Sequence, residues 1–447
     1  TPPGSDYPPI CDLHPIGEEI AVTKTLPMTS GTIGRGVRLS DGASMELSRS
    51  VFAKTEGLGM SVYYEGSTVT LRDSVIANQP DGTGQFGMEI GEGASVTLER
   101  VALRESGTLG MMVSGVGTSV TLDSCAVSDT RPTESGAGGA GIYLKEGASM
   151  VIRDSNIANN RDFGLQSNGD GTSLTLVDSV VEHNTSAQNS EGVWRAWGVS
   201  SVEGTLSVER SALVSNEGFG VFSHEPGTTV TVLDSVIAQT TMMPDGEFGH
   251  GMHIWGGVNL TVERVAVVDN QHVGMFIARE GTVGTARSVL VSGTRALPSG
   301  KEGPGIGIWD QAEFVLEDSM VVNNHMAGVF VISATATLRR AVLSGTTVSE
   351  ENLDPESQFG DGLIARNATL EVEDVYASEN ERAGMLLDTS TGLVTACLIQ
   401  ENTIGLATQG TTYPSLSEVN LVLDNTQNRV ENASLTIPSE TMMLPDG

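Results

Sequence analysis

A glycine that returns at a nearly fixed interval constrains this chain more than any other feature. One residue, then Gly, then an alternating apolar stretch recurs as Leu58-Gly59-Met60, Phe86-Gly87-Met88, Leu109-Gly110-Met111, Ala140-Gly141-Ile142 and Phe163-Gly164-Leu165. The series starts at Gly36 and continues through Gly198, Gly220, Gly251, Gly274, Gly305, Gly328, Gly362, Gly384 and Gly405. Successive spacings are 23, 28, 23, 31, 23, 34, 22, 31, 23, 31, 23, 34, 22 and 21 residues. A short interval that hardly varies alternates with a longer one, so the chain carries fifteen copies of one unit.

Within a unit the apolar period is two, not 3.6. Ile142 and Leu144 point one way and Tyr143 the other; Met150 and Ile152 point one way and Val151 the other; Ser155 and Ile157 continue the inward set. Gly-rich and Asn-rich turns separate these stretches. Three short strands in about 22 residues, with glycine at a fixed corner, make one coil of a parallel β-helix. Asn at a recurring corner can stack its amide between coils and tolerates left-handed dihedrals.

With this pattern the chain resembles the right-handed parallel β-helix repeat family, which includes the pectin-lyase-like proteins, in its bacterial extracellular type. The resemblance covers residues 36–426 and implies an all-β solenoid of about fifteen three-strand coils. At about 4.8 Å per coil the rod would be roughly 70 Å long. Segments 1–35 and 427–447 are expected to lie outside the pattern, as caps or assembly segments over the open ends. Insertions at 78–85, 128–139, 183–196, 239–249, 293–303 and 345–361 all leave from the corner after the third strand, on alternate coils. The true unit is therefore a pair of coils of about 54 residues.

Composition narrows the function. The chain has 24 basic and 56 acidic residues, a net charge of −32, which argues against nucleic acid and anionic lipid. No apolar run is long enough to span a membrane. The three cysteines have no CxxC spacing, so zinc and redox chemistry are not indicated. Cys125 and Cys397 fall at a small inward position and are too far apart to bond; Cys11 lies in the leading segment. Met60, Met88, Met111, Met252, Met275 and Met385 fall inward and read as core.

In a solenoid, chemistry is read down columns of equivalent residues. The outward column of the first strand is Arg38, Ser61, Glu89, Met112, Tyr143, Gln166, Ser200, Phe222, His253, Phe276, Gly307, Phe330, Ile364, Leu386 and Ala407. Its second half is apolar, which a bare surface should not be. Either the insertions fold over it, or it is a partner surface with Phe222, His253, Phe276, Phe330, Ile364 and Leu386 as the partner-binding residues. The second strand carries outward Thr70, Thr97, Thr121, Thr175, Thr231 and Thr261, and two positions earlier on its coils stand Thr68, Ser95, Ser119, Ser149, Ser173, Thr205 and Thr229. This array is similar to the Thr-x-Thr array of insect antifreeze proteins, although Thr is common on exposed strands and Val151 interrupts it. A third column alternates in sign, as Arg49, Asp73, Arg100, then Asp178, Arg210, Asp234, Arg264, then Asp318, Arg340, Asp374. A slipped coil would set like charges together, so this column guards register.

Trp255, Trp309, His250 and His272 gather on coils nine to eleven beside insertion 239–249, with Asp245 and Glu247, and are the candidate ligand-binding residues. Gly249-His250-Gly251 spells a tripeptide of the polygalacturonases, but Gly251 is the repeat glycine and the flanking signatures are missing. No metal spacing and no catalytic residue stand out. No cofactor is expected; calcium would suit the acidity, but the Asp-Gly pairs at 81–82 and 245–246 read as turns. The leading expectation is a non-enzymatic extracellular or cell-surface rod that presents loops and an apolar stripe, with itself, end to end or laterally, or an extracellular glycan as partner. The alternative is a polysaccharide-acting lyase or hydrolase of the pectin-lyase-like class centred on His253 and Glu247. Ice binding ranks third.

Overall fold

The computed structural model describes residues 16–18, 21–25, 35–55, 57–77, 86–132, 138–189, 192–298, 303–348 and 359–437. Each coil follows the expected order. In the sixth glycine-bearing coil, for example, Phe163–Asn168 carries the repeat glycine, Ser173–Val177 follows, and Val180–Glu182 completes the turn. Equivalent strands stack into three parallel sheets of 16 strands each, referred to below as the first-, second- and third-strand sheets. Connections between parallel strands of one sheet are right-handed, and the coil winds accordingly.

The ends differ from expectation. Ile16–Glu18 pairs with Ser44–Ser48 and Ala21–Thr25 pairs with Val51–Thr55, so part of segment 1–35 continues the sheets. Gln427–Glu431 pairs with Ile404–Gln409 in the same way. Neither piece carries the repeat glycine, so the glycine spacing does not mark them. Insertion 78–85 and Cys11 lie outside the described residues.

The repeat glycine is demanded by space. A Cβ on Gly164 would stand 2.6 Å from the carbonyl oxygen of Gly198 and 2.8 Å from the amide nitrogen of Asn184. Those asparagines form the expected ladder inside the corner. Asn160 Nδ2 donates to Asn184 Oδ1 at 3.0 Å, and Asn184 Nδ2 to Asn216 Oδ1 at 2.9 Å. Each Oδ1 also accepts the backbone N–H of the preceding coil, at 3.1 Å for Asn160 and 3.2 Å for Asn184. A second ladder lines the next inward corner, where Ser155, Ser179 and Ser211 hydroxyls accept backbone N–H groups of the coil before. Cys125 takes a place in this ladder, accepting from Val101 N–H. Burial pushes the Cys125 thiol up and the Cys397 thiol up to about 11, so both are inert near neutrality. Between the corners the interior is a column of buried aliphatic residues such as Met60, Met88, Met111, Ile142, Leu165 and Val199.

The charged column occupies the turn between the second and third strands. Its residues, from Arg49 through Ala396, adopt left-handed φ values of 45° to 55° on every coil. The Arg of one coil reaches back to the Asp of the coil before, as Arg100–Asp73 at 2.5 Å, Arg210–Asp178 at 2.8 Å, Arg264–Asp234 at 2.5 Å and Arg340–Asp318 at 2.6 Å. These bonds hold each Asp below the usual carboxylate range. The two-coil unit is visible as well. Thr118, Thr172, Thr228 and Thr282 accept backbone N–H groups of the preceding coil on alternate coils, with Ala148, Gly204 and Val258 between them.

The two kinds of column differ in burial, so their loss should differ. Asn184→Ala strips a partner from the buried Asn160 N–H and amide, at ~1–3 kcal/mol for each group left unpaired. Urea unfolding should show a clear fall in midpoint for this variant. Arg210→Ala, in a solvated pair, should move the midpoint far less.

Candidate functional site

The register of the first-strand column is as read from the sequence, from Arg38 opposite Ser61 to Leu386 opposite Ala407. Of the two readings of its accessibility, the structure has the covered one. Phe276, Phe330, Ile364 and Leu386 are at most 1% exposed, His253 is 3% exposed, and Phe222 is half-buried. These residues form no open partner stripe, because the protein's own segments lie over them. Met243 and Phe248 of insertion 239–249 and Trp194 of insertion 183–196 pack on Trp197, Phe219 and Phe222. Phe359 closes on Phe330 and Ile364. The segment after strand Gln427–Glu431 returns along the sheet, where Ala433, Leu435 and Ile437, with Val430 of that strand, cover Leu386, Ile404 and Ala407. Gln409 fixes it with two bonds to Leu435, at 3.1 and 2.9 Å.

Beneath this cover runs an aromatic row. Phe163 stacks on Trp197 with centroids 5.2 Å apart, Trp197 on Phe222 at 5.6 Å, and His253 meets Phe276 at 4.4 Å. Trp309 meets Phe276 edge to face at 4.8 Å, its ring lying over Gly307. Trp309 is 5% exposed, His250 1% and His272 3%. Of the four candidate ligand-binding residues, Trp309, His250 and His272 are thus inside the protein and only Trp255 reaches the surface. The Gly-His-Gly tripeptide at 249–251 is packing, and buried His253 cannot touch a polymer.

Two buried ion pairs pin the cover. Asp162, 3% exposed, accepts from Arg195 Nη2 of insertion 183–196 at 2.7 Å. Burial pushes its carboxyl up to about 6 against the pull of Arg195. Asp361, fully buried, is held by Arg382 Nε at 3.0 Å to each oxygen and by Arg382 Nη2. The same guanidinium donates to Thr436 O at 2.9 Å and lies 5.0 Å from the Phe359 ring.

Open surface with converging side chains lies instead along the turns joining the first- and second-strand sheets. Two adjoining clefts of about 440 and 500 Å³ share Glu280 and Gln311. The first is lined by His224, Glu225, Trp255, Arg279 and Asp310; the second continues through Glu313, Ser333, Thr335, Asn367 and Thr369. The Arg279 guanidinium sits 3.8 Å over the Trp255 ring, whose neighbour on the coil before is His224 at 5.6 Å. Arg279 makes no ion pair among the described residues, and Glu225, Glu280 and Asp310 are exposed. The second-strand face is also open, with the Thr column in register and extended by Thr285, opposite Thr261.

The family model for the right handed beta helix region matches residues 29–181 and 81–263, together more than half of the chain. The chain belongs to the right-handed β-helix family. No curated protein sequence matches it. Among solved structures, a double mutant of the periplasmic alginate epimerase AlgG is similar, at 11% identity, over 83% of this chain and 78% of that one, with a TM-score of 0.45. The catalytic unit of a GH87 alpha-1,3-glucanase from Streptomyces thermodiastaticus aligns over 74% of this chain and 62% of that one, at 11% identity and a TM-score of 0.39. The Vag8–C1 inhibitor complex covers 91% and 93%, at 14% identity and a TM-score of 0.38. No helix among the described residues is long and apolar enough to cross a membrane.

Sequence reasoning found Trp255 in this β-helix but missed Arg279, Glu225, Glu280 and Gln311. All of these lie in the turns after the first strand, whose columns would have aligned them had turns been read as strands were. The cover itself is testable. Arg382→Ala leaves Asp361 buried without its partner, a loss of about 3–5 kcal/mol. Urea unfolding should show it, with a smaller loss for Asp361→Leu combined with Arg382→Met, which leaves no orphan charge.

Proposed function

We propose that the protein is a non-enzymatic glycan-binding rod of the extracellular or cell-surface space, and that a saccharide chain lies along the turn groove around Trp255. The observation that carries this reading is Arg279, a cation without an ion-pair partner among the described residues, stacked on Trp255 in an open cleft. An indole edge, a guanidinium, the Gln311 amide and several carboxylates supply apolar contact and hydrogen bonds together, as sugar recognition requires. The groove crosses six successive coils, so an extended polymer meets an equivalent turn at each one. Its carboxylates are exposed, whereas a catalytic acid is tuned by burial. That exposure supports the reading of binding without cleavage. The reading is compatible with the polysaccharide-acting proteins of similar fold, and rests on the groove alone.

Affinity electrophoresis against uronate and neutral polysaccharides tests it. Trp255→Ala and Arg279→Ala should each weaken retardation by about tenfold, roughly 1.4 kcal/mol. Unchanged retardation in both variants would sink the proposal. Release of reducing or unsaturated ends by the parent protein would replace it with the polysaccharide-acting enzyme.

A further inference from the structure

The third-strand sheet carries a second apolar face. Each of its strands has three residues, the first and third pointing outward and the second inward, as in Val236-Ile237-Ala238 and Met320-Val321-Val322. The first outward position stacks coil on coil from Val51 to Leu421. Asn156 is its one polar member; the others are Val, Ala, Leu, Met or Tyr. Val236 and Met320 are 39% and 47% exposed, and Leu290, Val342 and Tyr376 are half-buried. The insertions leave from the corner beside this sheet but turn the other way. Met243, Phe248 and Phe359 pack over the first-strand sheet.

Charge is kept off this face as well. From Ala212–Val214 to Tyr376–Ser378, seven successive third strands hold no acidic or basic residue, in a chain of net charge −32. A long, uncharged apolar strip on an acidic rod marks an interaction surface.

The strip is complementary to itself about coil ten. A two-fold axis laid along strand Leu290–Ser292 sets two rods antiparallel and brings each coil above it against the coil equally far below. Ala266 then faces Met320, and Ala212 faces Tyr376, so each large residue meets a small one. The charged column on one flank is antisymmetric about the same coil, whose member is neutral Ser288. Arg264 faces Asp318, Asp234 faces Arg340, and Arg210 faces Asp374; none of the six is buried. On the other flank Asp269 faces Asn323 and Ser215 faces Glu379, so no like charges meet. An axis moved half a coil, to between coils ten and eleven, would oppose Arg264 to Arg340 and Asp234 to Asp374. Packed sheets stand about 10 Å apart, a gap that an Arg and an Asp side chain span together.

The area suffices. An axis on coil ten pairs coils five to fifteen, about 50 Å at ~4.8 Å per coil, and five residues across at ~3.3 Å give about 16 Å. The contact is roughly 800 Å² per copy, the size of a stable interface.

We propose that two copies of this chain form an antiparallel dimer through their third-strand faces, with the two-fold axis at Leu290. The glycan groove runs along the turns joining the other two sheets, so the dimer does not depend on that reading.

Sedimentation velocity of the full chain, from about 1 to about 100 µM, reads the assembly. The parent should sediment as a dimer at the upper end. Leu290→Arg sets two guanidinium groups against each other on the axis and should leave a monomer with an unchanged β signal in circular dichroism. Arg264→Glu and Asp318→Arg should each weaken association by about tenfold or more. An equimolar mixture of those two variants should recover it, because the mixed dimer places Arg against a carboxylate at both contacts. A parent that stays monomeric at about 100 µM overturns the proposal, as does a Leu290→Arg chain that still dimerises. Charge variants that associate as the parent does, or whose mixture stays weak, overturn the antiparallel pairing.

Discussion

Everything in this molecule depends on parallel coils hydrogen-bonding one above the next in a single register. Each strand exists only as a rung between its neighbours, so a residue type that suits one coil must suit the equivalent place in every other. The buried corners show the consequence. A bend inside the rod leaves backbone N–H groups that water cannot reach, and the side chain of the next coil must accept them. Asn does so at the corner before the repeat glycine, Ser or Cys at the corner after the second strand, and Thr on alternate coils at the third. The outer turn has the reverse problem. Its left-handed residue is solvated, so it can carry charge, and alternating Asp and Arg turn a strained position into an inter-coil bond.

A thin rod cannot place all its apolar residues inside. Its interior is a narrow column, and the outward face of the first-strand sheet remains apolar over much of its length. The fold answers by adding a second layer from its own insertions and from residues 430–437. A layer made of loops has few backbone ladders to hold it, which accounts for the buried ion pairs found there. Asp162–Arg195 and Asp361–Arg382 each tie a buried carboxylate at a strand start to the guanidinium of a loop or turn residue. Buried pairs of this kind contribute less to net stability than to fixing one arrangement, because desolvation offsets much of their attraction.

The coil, its register and its columns were legible because they repeat. Arg38, Phe222 and Leu386 could be placed on one line from spacing alone, and the structure places them there. That insertions could cover the apolar face was legible, but which residues do so was not, because no local rule says where a loop of eleven or more residues will lie. Residues 433–437 are a partial exception. Ala433, Leu435 and Ile437 alternate with polar residues as a strand's inward set does, and this signal went unread because it lacks the glycine. Thr285 was passed over for a related reason. Its strand has Gly284 at an inward position that the preceding coils fill with Leu260, Val230 and Leu206, leaving room for the Phe314 ring of the next coil, and the break in pattern hid the column. His250, His253 and His272 were seen as a cluster, but their contact is a matter of ring orientation across coils, which spacing does not fix.

Sealing the aromatic row shifts recognition to surfaces the rod cannot cover. The second-strand face is flat and its hydroxyl groups are already half engaged with one another, as between Ser95 and Ser119 at 2.9 Å. The turns are different. They project, they vary from coil to coil without disturbing the ladders, and they can hold groups that the interior would reject. Arg279 is such a group. Within a chain of net charge −32, it is a cation stacked on an indole instead of paired with one of the nearby carboxylates, and the proposed glycan reading rests on it. Trp255 joins that surface to the interior, since its ring contacts Arg279 on one side and meets His253 edge to face at 6.2 Å on the other.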